Sequence, residues 1–250
     1  MIRNFILMAT SGLLLFSKEF VNSIAQPRLV GSLLTALLEF SQQTTGMSVS
    51  YIELTNVALT MITDETTKVF CALFYDREDG PAFGHLLCKE ILRAFIEQYA
   101  ADLNHVGRNL KDFHGFNNKI ADVIRASIKP ILTKLQKQRG ILKVLFINED
   151  GAVTSSAAAI DQLAVLANLQ ALTGVCTDAM TFVDDDCKHI MLDSAANTRV
   201  LIWKLQERSQ LVVVVTKAVS VDKYRSVLRE ALHTFERVCI LMANLHLVAR

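Results

Sequence analysis

Near the start of the chain stands the stretch Ile2-Arg-Asn-Phe-Ile-Leu-Met-Ala-Thr-Ser-Gly-Leu-Leu-Leu-Phe16. Two apolar, β-rich runs flank a Ser-Gly pair in it, which is the composition of a β-hairpin with a tight turn. We therefore predict strands over Ile2–Thr10 and Leu13–Phe20 around Ser11-Gly12. A secretory signal peptide is the alternative for the same residues, but the polar turn and Lys18-Glu19 interrupt the apolar run that it would need.

A second stretch of the same design opens the second half of the chain. It reads Ile141-Leu-Lys-Val-Leu-Phe-Ile-Asn-Glu-Asp-Gly-Ala-Val-Thr-Ser-Ser156 and predicts strands over Ile141–Asn148 and Ala152–Ser156 around Asp150-Gly151. After each hairpin, the placement of proline and glycine predicts a helix, a run of strands and a further helix. The chain therefore reads as two structurally repeated domains, residues 1–139 and 140–250.

The remaining elements follow from the periodicity of apolar residues. In the first half we predict three helices and three strands: helices over Pro27–Thr44, Pro81–Leu103 and Asn117–Arg139, the last kinked or restarted at Lys129-Pro130, and strands over Val49–Leu54, Val57–Thr63 and Lys68–Asp76. In the second half we predict a helix over Ala158–Thr173 that Gly174 ends, a long helix from Val221, and strands at Thr181–Val183, His189–Leu192, Arg199–Leu205 and Leu211–Thr216.

Antiparallel hairpins combined with helices predict an α+β fold. We expect two profilin-like domains, each a mainly antiparallel five-stranded sheet with helices packed on one face. Such a domain leaves an edge strand and one sheet face that need cover, and the wholly apolar run Leu211–Val215 needs cover on both faces. The other half of the chain or another chain would have to supply it.

The composition also predicts a partner. Of the 250 residues, 51% are hydrophobic and only 20% are charged, below the roughly 25% that is usual in soluble domains. A formal net charge of +1 gives no global field for nucleic acid. No apolar run approaches the roughly 20 residues that span a bilayer. Five cysteines without a C-x-x-C pair favour a reducing, cytoplasmic location.

The sequence lacks the common motifs of nucleotide hydrolysis, dinucleotide binding and hydrolase chemistry. Asp184–His189 gathers carboxylates, a thiol and an imidazole, but adjacent residues on a turn splay apart instead of converging on a metal. His85 and Cys88 share a predicted helix face, yet zinc needs two further ligands. Cys71 and Cys239 lie in apolar runs, where a thiol has a raised pKa and is inert. We therefore expect no enzyme activity, no metal and no cofactor.

Basic residues outnumber acidic ones between Lys111 and Arg139. Opposite an apolar helix stripe, such residues could contact an acidic partner or anionic lipid headgroups. An ordinary solvated helix face is the alternative. The candidates for contact with an anionic surface are Lys119, Arg125, Lys134 and Lys137.

Residues 1–139 resemble a longin domain in the order of hairpin, helix, three strands and two helices. Residues 140–250 are similar to a roadblock/LC7 domain, through the hairpin at Asp150-Gly151, the helix Ile160–Leu172 and the valine strand Leu211–Thr216. A roadblock domain usually has a helix before its first strand, which Asn117–Arg139 could supply. An extra strand around Met180–Asp184 would depart from the pattern and favour a second longin domain.

The resemblance implies a noncatalytic adaptor, a scaffold or a subunit of an exchange-factor-type complex in membrane traffic or signalling. Domains of these families pair as homo- or heterodimers with other longin or roadblock subunits. They bind small Ras-like GTPases in the cytoplasm or peripherally on endomembranes, and no catalytic residue carries over. The alternative is a small-molecule sensor with a pocket between sheet and helices, lined by residues such as Phe70, Phe74 and Phe95.

Exposed edges and the resemblance together select surfaces for partners. In the first half these are the helix Val30–Leu38 and the edge strand Tyr51–Leu54, and in the second half the helix Leu163–Leu172 and the edge His189–Leu192. The predicted interface residues are Leu33, Leu37, Tyr51, Ile52, Leu54, Leu163, Leu166, Leu169, His189 and Met191.

Overall fold

A computed structural model of the chain describes residues 1–20, 26–104, 110–155, 162–195, 197–205 and 209–248. At 27–28, 104, 110–112, 162–166 and 245–248 it describes the backbone alone. The chain divides into two compact units, Met1–Ser127 and Ile128–Arg250. Each unit contains a five-stranded sheet with antiparallel pairings. The predicted fold class, α+β with two five-stranded antiparallel sheets and packed helices, is confirmed.

In the first unit, the hairpin at Ser11-Gly12 forms as predicted. Gly12 has φ 88°, a left-handed conformation that glycine adopts without strain. The strands lie in the order β2-β1-β5-β4-β3. The elements are β1 (Ile2–Ala9), β2 (Leu14–Glu19), α1 (Pro27–Thr45), β3 (Tyr51–Glu53), β4 (Val57–Asp64), β5 (Val69–Asp76), α2 (Gly80–Tyr99) and α3 (Ile120–Ala126), with 3-10 segments at Arg77–Asp79, Asp102–Asn104 and Leu110–Lys119.

Helices cover both faces of this first sheet. Leu34 of α1 lies in one apolar cluster with Ile6 and Phe70. On the opposite face, the ring of Phe83 in α2 lies 5.9 Å from the ring of Tyr75. The expectation of helices on one face is therefore wrong for this unit. Because successive side chains of a strand point to opposite faces, the buried strand β5 contributes to two cores.

The second unit repeats the topology of the first. Its strands lie in the order β7-β6-β10-β9-β8, the same permutation as in the first sheet. The elements are α4 (Ile128–Gln136), β6 (Ile141–Ile147), β7 (Val153–Ser155), α5 (Gln162–Thr181), β8 (His189–Asp193), β9 (Thr198–Lys204), β10 (Gln210–Thr216) and α6 (Asp222–Val248).

Both faces of the second sheet are covered as well. On one face, Leu169 of α5 packs against a cluster that includes Leu145 and Val212. On the other face, the ring of Phe235 in α6 stacks on that of Phe146 with 5.5 Å between centroids. The prediction that the valine strand is covered on both faces is confirmed. The cover comes from α5 and α6 of the same unit, so the expectation of helices on one face, with the other half or another chain as cover, is wrong for this unit too.

Two element predictions around α5 are wrong. Met180–Asp184 forms no strand, because α5 continues to Thr181 and a turn follows. Gly174 lies inside α5, where a β-carbon would meet nothing within 4 Å.

The helix expected over Asn117–Arg139 is two helices that break at Ser127. Pro130 lies in the first turn of α4, where its missing N–H costs nothing.

The second unit therefore has the order helix, hairpin, helix, three strands, helix. A roadblock domain usually has a helix before its first strand, and α4 is in that place here. The domain boundary between residues 139 and 140 stays a prediction, and α4 lies with the second unit.

Candidate interaction surfaces

The outer face of α1 carries exposed apolar side chains. Leu29, Leu33 and Phe40 recur at helical spacing and are 66%, 67% and 66% exposed. Leu34 and Leu37 instead turn towards the core, where Leu37 packs half-buried. An apolar side chain left in solvent forgoes roughly 1.5–3 kcal/mol that full burial would contribute. We call Leu29, Leu33 and Phe40 the α1 stripe.

A short strand, β3, forms one edge of the first sheet, as predicted. Tyr51 and Ile52 are half-buried, and Leu54, just beyond the strand, is exposed. The Tyr51 hydroxyl donates a hydrogen bond of 2.8 Å to Glu53. Partial burial and this carboxylate raise the pKa of Tyr51. An edge strand presents unpaired backbone groups to which another chain can add a strand.

The helix α5 is weakly polar. In its twenty residues the one charged side chain is Asp178, and Val175 is 67% exposed. Leu169, a predicted interface residue, is half-buried and packs on the apolar cluster beneath the helix. The side chains of Leu163 and Leu166 lie outside the described residues, so their assignment stays a prediction.

The strand β8 forms the edge of the second sheet, also as predicted. His189 pairs with Trp203 and Met191 pairs with Leu201, so their side chains lie on the same sheet face. The imidazole of His189 stacks on the indole of Trp203, with 6.4 Å between centroids and 20° between planes. Met191 is exposed.

These side chains line a cleft of about 460 Å³ between the β8–β9 face and α6. Trp203 and Leu201 belong to its sheet side, and Leu228 to its helix side. Two exposed arginines of α6, Arg225 and Arg229, lie at the same cleft. The cleft therefore combines apolar walls with cationic side chains, an arrangement that no sequence pattern predicted. It joins residues more than forty positions apart in the chain, from His189 to Leu232, so no local pattern marks it.

The four basic candidates differ in their surroundings. The guanidinium of Arg125 donates to Asp122 at 2.9 Å, and the ammonium of Lys134 donates to Glu230 at 2.6 Å. These two cations already have carboxylate partners, while Lys119 and Lys137 are exposed. Contact with an anionic surface stays a prediction. In the parts of the chain that the structure describes, no helix is long and apolar enough to cross a membrane.

The polar groupings weighed in the sequence do not come together. His85 is exposed, whereas the Cys88 thiol is buried and donates to the Cys71 carbonyl at 3.3 Å. Burial raises the pKa of Cys71 well above its ordinary value, and raises that of Cys239 to about 11. Asp184–Asp186 are exposed. Among the described residues, no group of three His, Cys, Asp or Glu could hold a metal ion.

The three phenylalanines expected to line a pocket are buried in two separate cores. Phe70 and Phe74 belong to the cluster beneath α1. Phe95 lies on α2, where its ring centroid is 5.2 Å from that of Phe116. Because α1 and α2 cover opposite faces of the sheet, these side chains cannot line one cavity, and that expectation is wrong.

Neither a protein-family model nor a curated protein matches the sequence. Among solved structures, the chain is similar to Myxococcus xanthus MglB, with 14% identity and a TM-score of 0.41 over 44% of this chain and 93% of that one. It is similar to a roadblock/LC7 domain from Streptomyces avermitilis, with 13% identity and a TM-score of 0.34 over 48% and 96%. It is also similar to a structure of the mammalian SRP receptor, with 16% identity and a TM-score of 0.35 over 52% and 97%.

Each of these likenesses spans about half of this chain and nearly all of the matched one.

Proposed function

We propose that this chain is a noncatalytic subunit of a complex that regulates a small Ras-like GTPase, acting as an adaptor or scaffold. The observation that carries the proposal is the α1 stripe, in which Leu29, Leu33 and Phe40 expose large apolar groups. Exposed apolar patches of this kind mark sites of protein–protein interaction. The class of partner comes from the longin and roadblock resemblance of the sequence.

The α1 stripe suits binding rather than chemistry. Interfaces derive most of their free energy from a few apolar or aromatic anchors in desolvated positions. Phe40 is the aromatic residue of the stripe, and Leu33 lies two turns before it on the same face. Within this proposal, the short edge strand β3 offers Tyr51 and Leu54 as further contacts through strand addition.

For the second unit we propose pairing with another longin or roadblock subunit, either a second copy or a different chain. The helix α5 would supply the surface, with Leu163 and Leu166 as its candidates, whereas Leu169 packs half-buried on the cluster beneath the helix. Val175 supports this, because it is an exposed apolar residue on a helix with a single charge.

We also propose that Lys119 and Lys137 allow the chain to contact endomembranes peripherally.

The test is a gentle affinity purification of the full chain from its native cells, followed by mass spectrometry. Wild type is compared with Leu33→Glu and Phe40→Glu, each of which would bury a charge in the proposed interface. Gln43→Glu is the matched control, because Gln43 is an exposed polar residue of the same helix. All four proteins should have the same melting temperature, since the substituted side chains face solvent.

We expect a Ras-like GTPase with wild type and with Gln43→Glu. Loss of an anchor typically costs 2 kcal/mol or more, roughly 30-fold in affinity, so the two stripe variants should recover little GTPase. Equal recovery with all four proteins would show that the stripe is not the binding surface. Recovery of neither a GTPase nor a longin or roadblock subunit with wild type would refute the proposed function. The recovered GTPase is then titrated in its GDP and GTP-analogue states.

A further inference from the structure

The turn that follows α5 projects an apolar and acidic tip from the second unit. Phe182 and Val183 are 90% and 67% exposed, and Asp184–Asp186 follow directly, all exposed. The backbone N–H of Val183 donates to the carbonyl of Met180, three residues earlier, at 3.0 Å, so a hydrogen-bonded turn directly follows the helix. We call Phe182–Asp186 the acidic tip.

The acidic tip combines features that are unfavourable in isolation. A phenylalanine at 90% exposure gains almost nothing from the hydrophobic effect. Three consecutive carboxylates repel one another, and in the described structure none of the three takes part in an ion pair. A site that relieves both problems would offer an apolar cavity beside cationic side chains.

The cleft between the β8–β9 face and α6 has this chemistry. Its volume of about 460 Å³ lies within the roughly 300–1,000 Å³ of ordinary binding pockets. Its lining includes three arginines, Arg199, Arg225 and Arg229, and no carboxylate. Arg199 is held by Asp193 at 2.7 Å. Arg225 lies 3.6 Å from Asp222 in an exposed pair, whereas Arg229 has no ion pair among the described residues.

The apolar walls of the cleft suit an aromatic side chain. The indole of Trp203 lines it from the sheet side, and aromatic pairs gain free energy beyond the area that they bury. Leu228 and Leu232 of α6 line the helix side. A phenylalanine that entered would lie against Trp203, with the carboxylates that follow it near Arg225 and Arg229.

We propose that the acidic tip of one copy of this chain docks in the cleft of a second copy. The tip does not occupy the cleft of its own chain, because Phe182 is almost fully exposed. Each copy offers both halves of the contact, so the docking either is reciprocal and closes a dimer or continues head to tail. The inference is independent of the proposed GTPase partner, whose surface is the α1 stripe of the first unit.

Sedimentation of the full chain over a concentration series measures its self-association. Two variants test the two sides of the proposed contact, one in the acidic tip and one in the cleft. Phe182→Ser removes the anchor of the tip, and Arg229→Glu reverses the charge at the cleft. Lys223→Glu is the charge control, because Lys223 is exposed on the same helix and does not line the cleft. Met47→Ser is the apolar control, because Met47 is 67% exposed and lies outside the tip, the cleft, α5 and the α1 stripe. All four substituted side chains are exposed, so melting temperatures should stay close to that of wild type.

We expect wild type and both controls to self-associate equally, and each of the other variants to weaken association roughly 30-fold or more. An equimolar mixture of Phe182→Ser and Arg229→Glu should regain association, because one intact tip then meets one intact cleft. Trp203 is the single tryptophan of the chain, so its emission should shift with concentration in wild type and not in Phe182→Ser. Salt should weaken the association, since charges contribute to it.

Several outcomes would overturn the inference. A wild-type chain that stays monomeric throughout the series would do so. Loss of association with a separate α5 variant, Val175→Ser, but not with Phe182→Ser would place the pairing on the face of α5. A mixture that fails to regain association, or an effect of Arg229→Glu without one of Phe182→Ser, would mean that another molecule, such as a small anionic ligand, occupies the cleft. GTPase recovery is measured with different variants, so the two proposals fail separately.

Discussion

Tyr75 and Gly84 lie so close together that a β-carbon on Gly84 would come within 2.1 Å of the tyrosine ring. The ring cannot withdraw easily. It is fully buried, it contacts the ring of Phe83 edge-on, and its hydroxyl is hydrogen-bonded to Thr60 at 2.9 Å. This contact sets how closely α2 approaches β5 in the first unit.

We predict that Gly84→Ala destabilises the first unit. Overpacking of a tight core costs about 1–3 kcal/mol, whereas alanine's better helix propensity returns up to about 1 kcal/mol. The clash should dominate, because both partners are held in place. Thermal unfolding and amide hydrogen exchange of β5 report the change. Unaltered exchange in β5 would mean that the tyrosine ring can move aside.

Gly174→Ala is the matched substitution, and we predict that it stabilises the protein. Gly174 also lies inside a helix, but its β-carbon would meet nothing within 4 Å. Relative to glycine, alanine stabilises a helix interior by roughly 0.5–1 kcal/mol. We expect a higher urea midpoint, followed through the fluorescence of Trp203 in the same unit. A lower midpoint would indicate that Gly174 has a close neighbour after all.

Local chemistry made the two hairpins predictable. Ser11-Gly12 and Asp150-Gly151 turn as expected because glycine takes the positive φ of each turn, 88° at Gly12 and 80° at Gly151. The apolar run Leu211–Val215 identified a strand with both faces covered, because no other position in a sheet accepts such a run. In these stretches a few neighbouring residues carry the whole signal.

The end of α5 could not be predicted in the same way. Gly174 was expected to end the helix, but glycine in a helix costs only about 1 kcal/mol, and packing of Leu169 and Leu172 on the sheet offsets it. The β-propensity of Phe182 and Val183 then suggested a strand where a turn forms. Propensity is a weak signal when the surrounding fold decides the conformation.

The candidate surfaces were only partly predictable. Leu33 and Leu37 were both predicted as interface residues of α1, whereas the structure turns Leu37 towards the core and leaves Leu33 in solvent with Leu29 and Phe40. Apolar residues occupy more of this helix than one stripe, so sequence alone cannot divide them. The cleft beside Trp203 depends on where α6 packs, which no local pattern records.

Two charge substitutions four residues apart can test which side of α1 faces solvent and which faces the core. We predict that Leu33→Glu changes the free energy of unfolding by no more than about 0.5 kcal/mol, as is usual for surface positions. Leu37→Glu should destabilise by about 2 kcal/mol or more, because it places a charge in the apolar cluster beneath the helix. Urea unfolding of both variants checks this. Equal effects would mean that the helix is rotated relative to the described structure.

Alkaline pH should destabilise the folded chain through the buried thiol of Cys239. Burial raises the pKa of the Cys239 thiol from 9.0 to about 11, although a hydrogen bond with Ser209 opposes the change. The folded chain therefore holds this proton more tightly than the unfolded chain. Stability from this group is fully present below pH 9 and falls as the pH rises through about 11.

The expected loss is about 2–3 kcal/mol, since each pKa unit corresponds to about 1.4 kcal/mol. Urea unfolding of wild type and Cys239→Ala, followed through Trp203 from pH 8 to 11, measures it. The variant should be less stable at pH 8, because alanine leaves a cavity, but its stability should fall less steeply with pH. Other groups that titrate in this range, including Cys71, are common to both proteins and cancel in the difference. Parallel pH profiles would show that the Cys239 thiol ionises as readily in the folded chain as in the unfolded one.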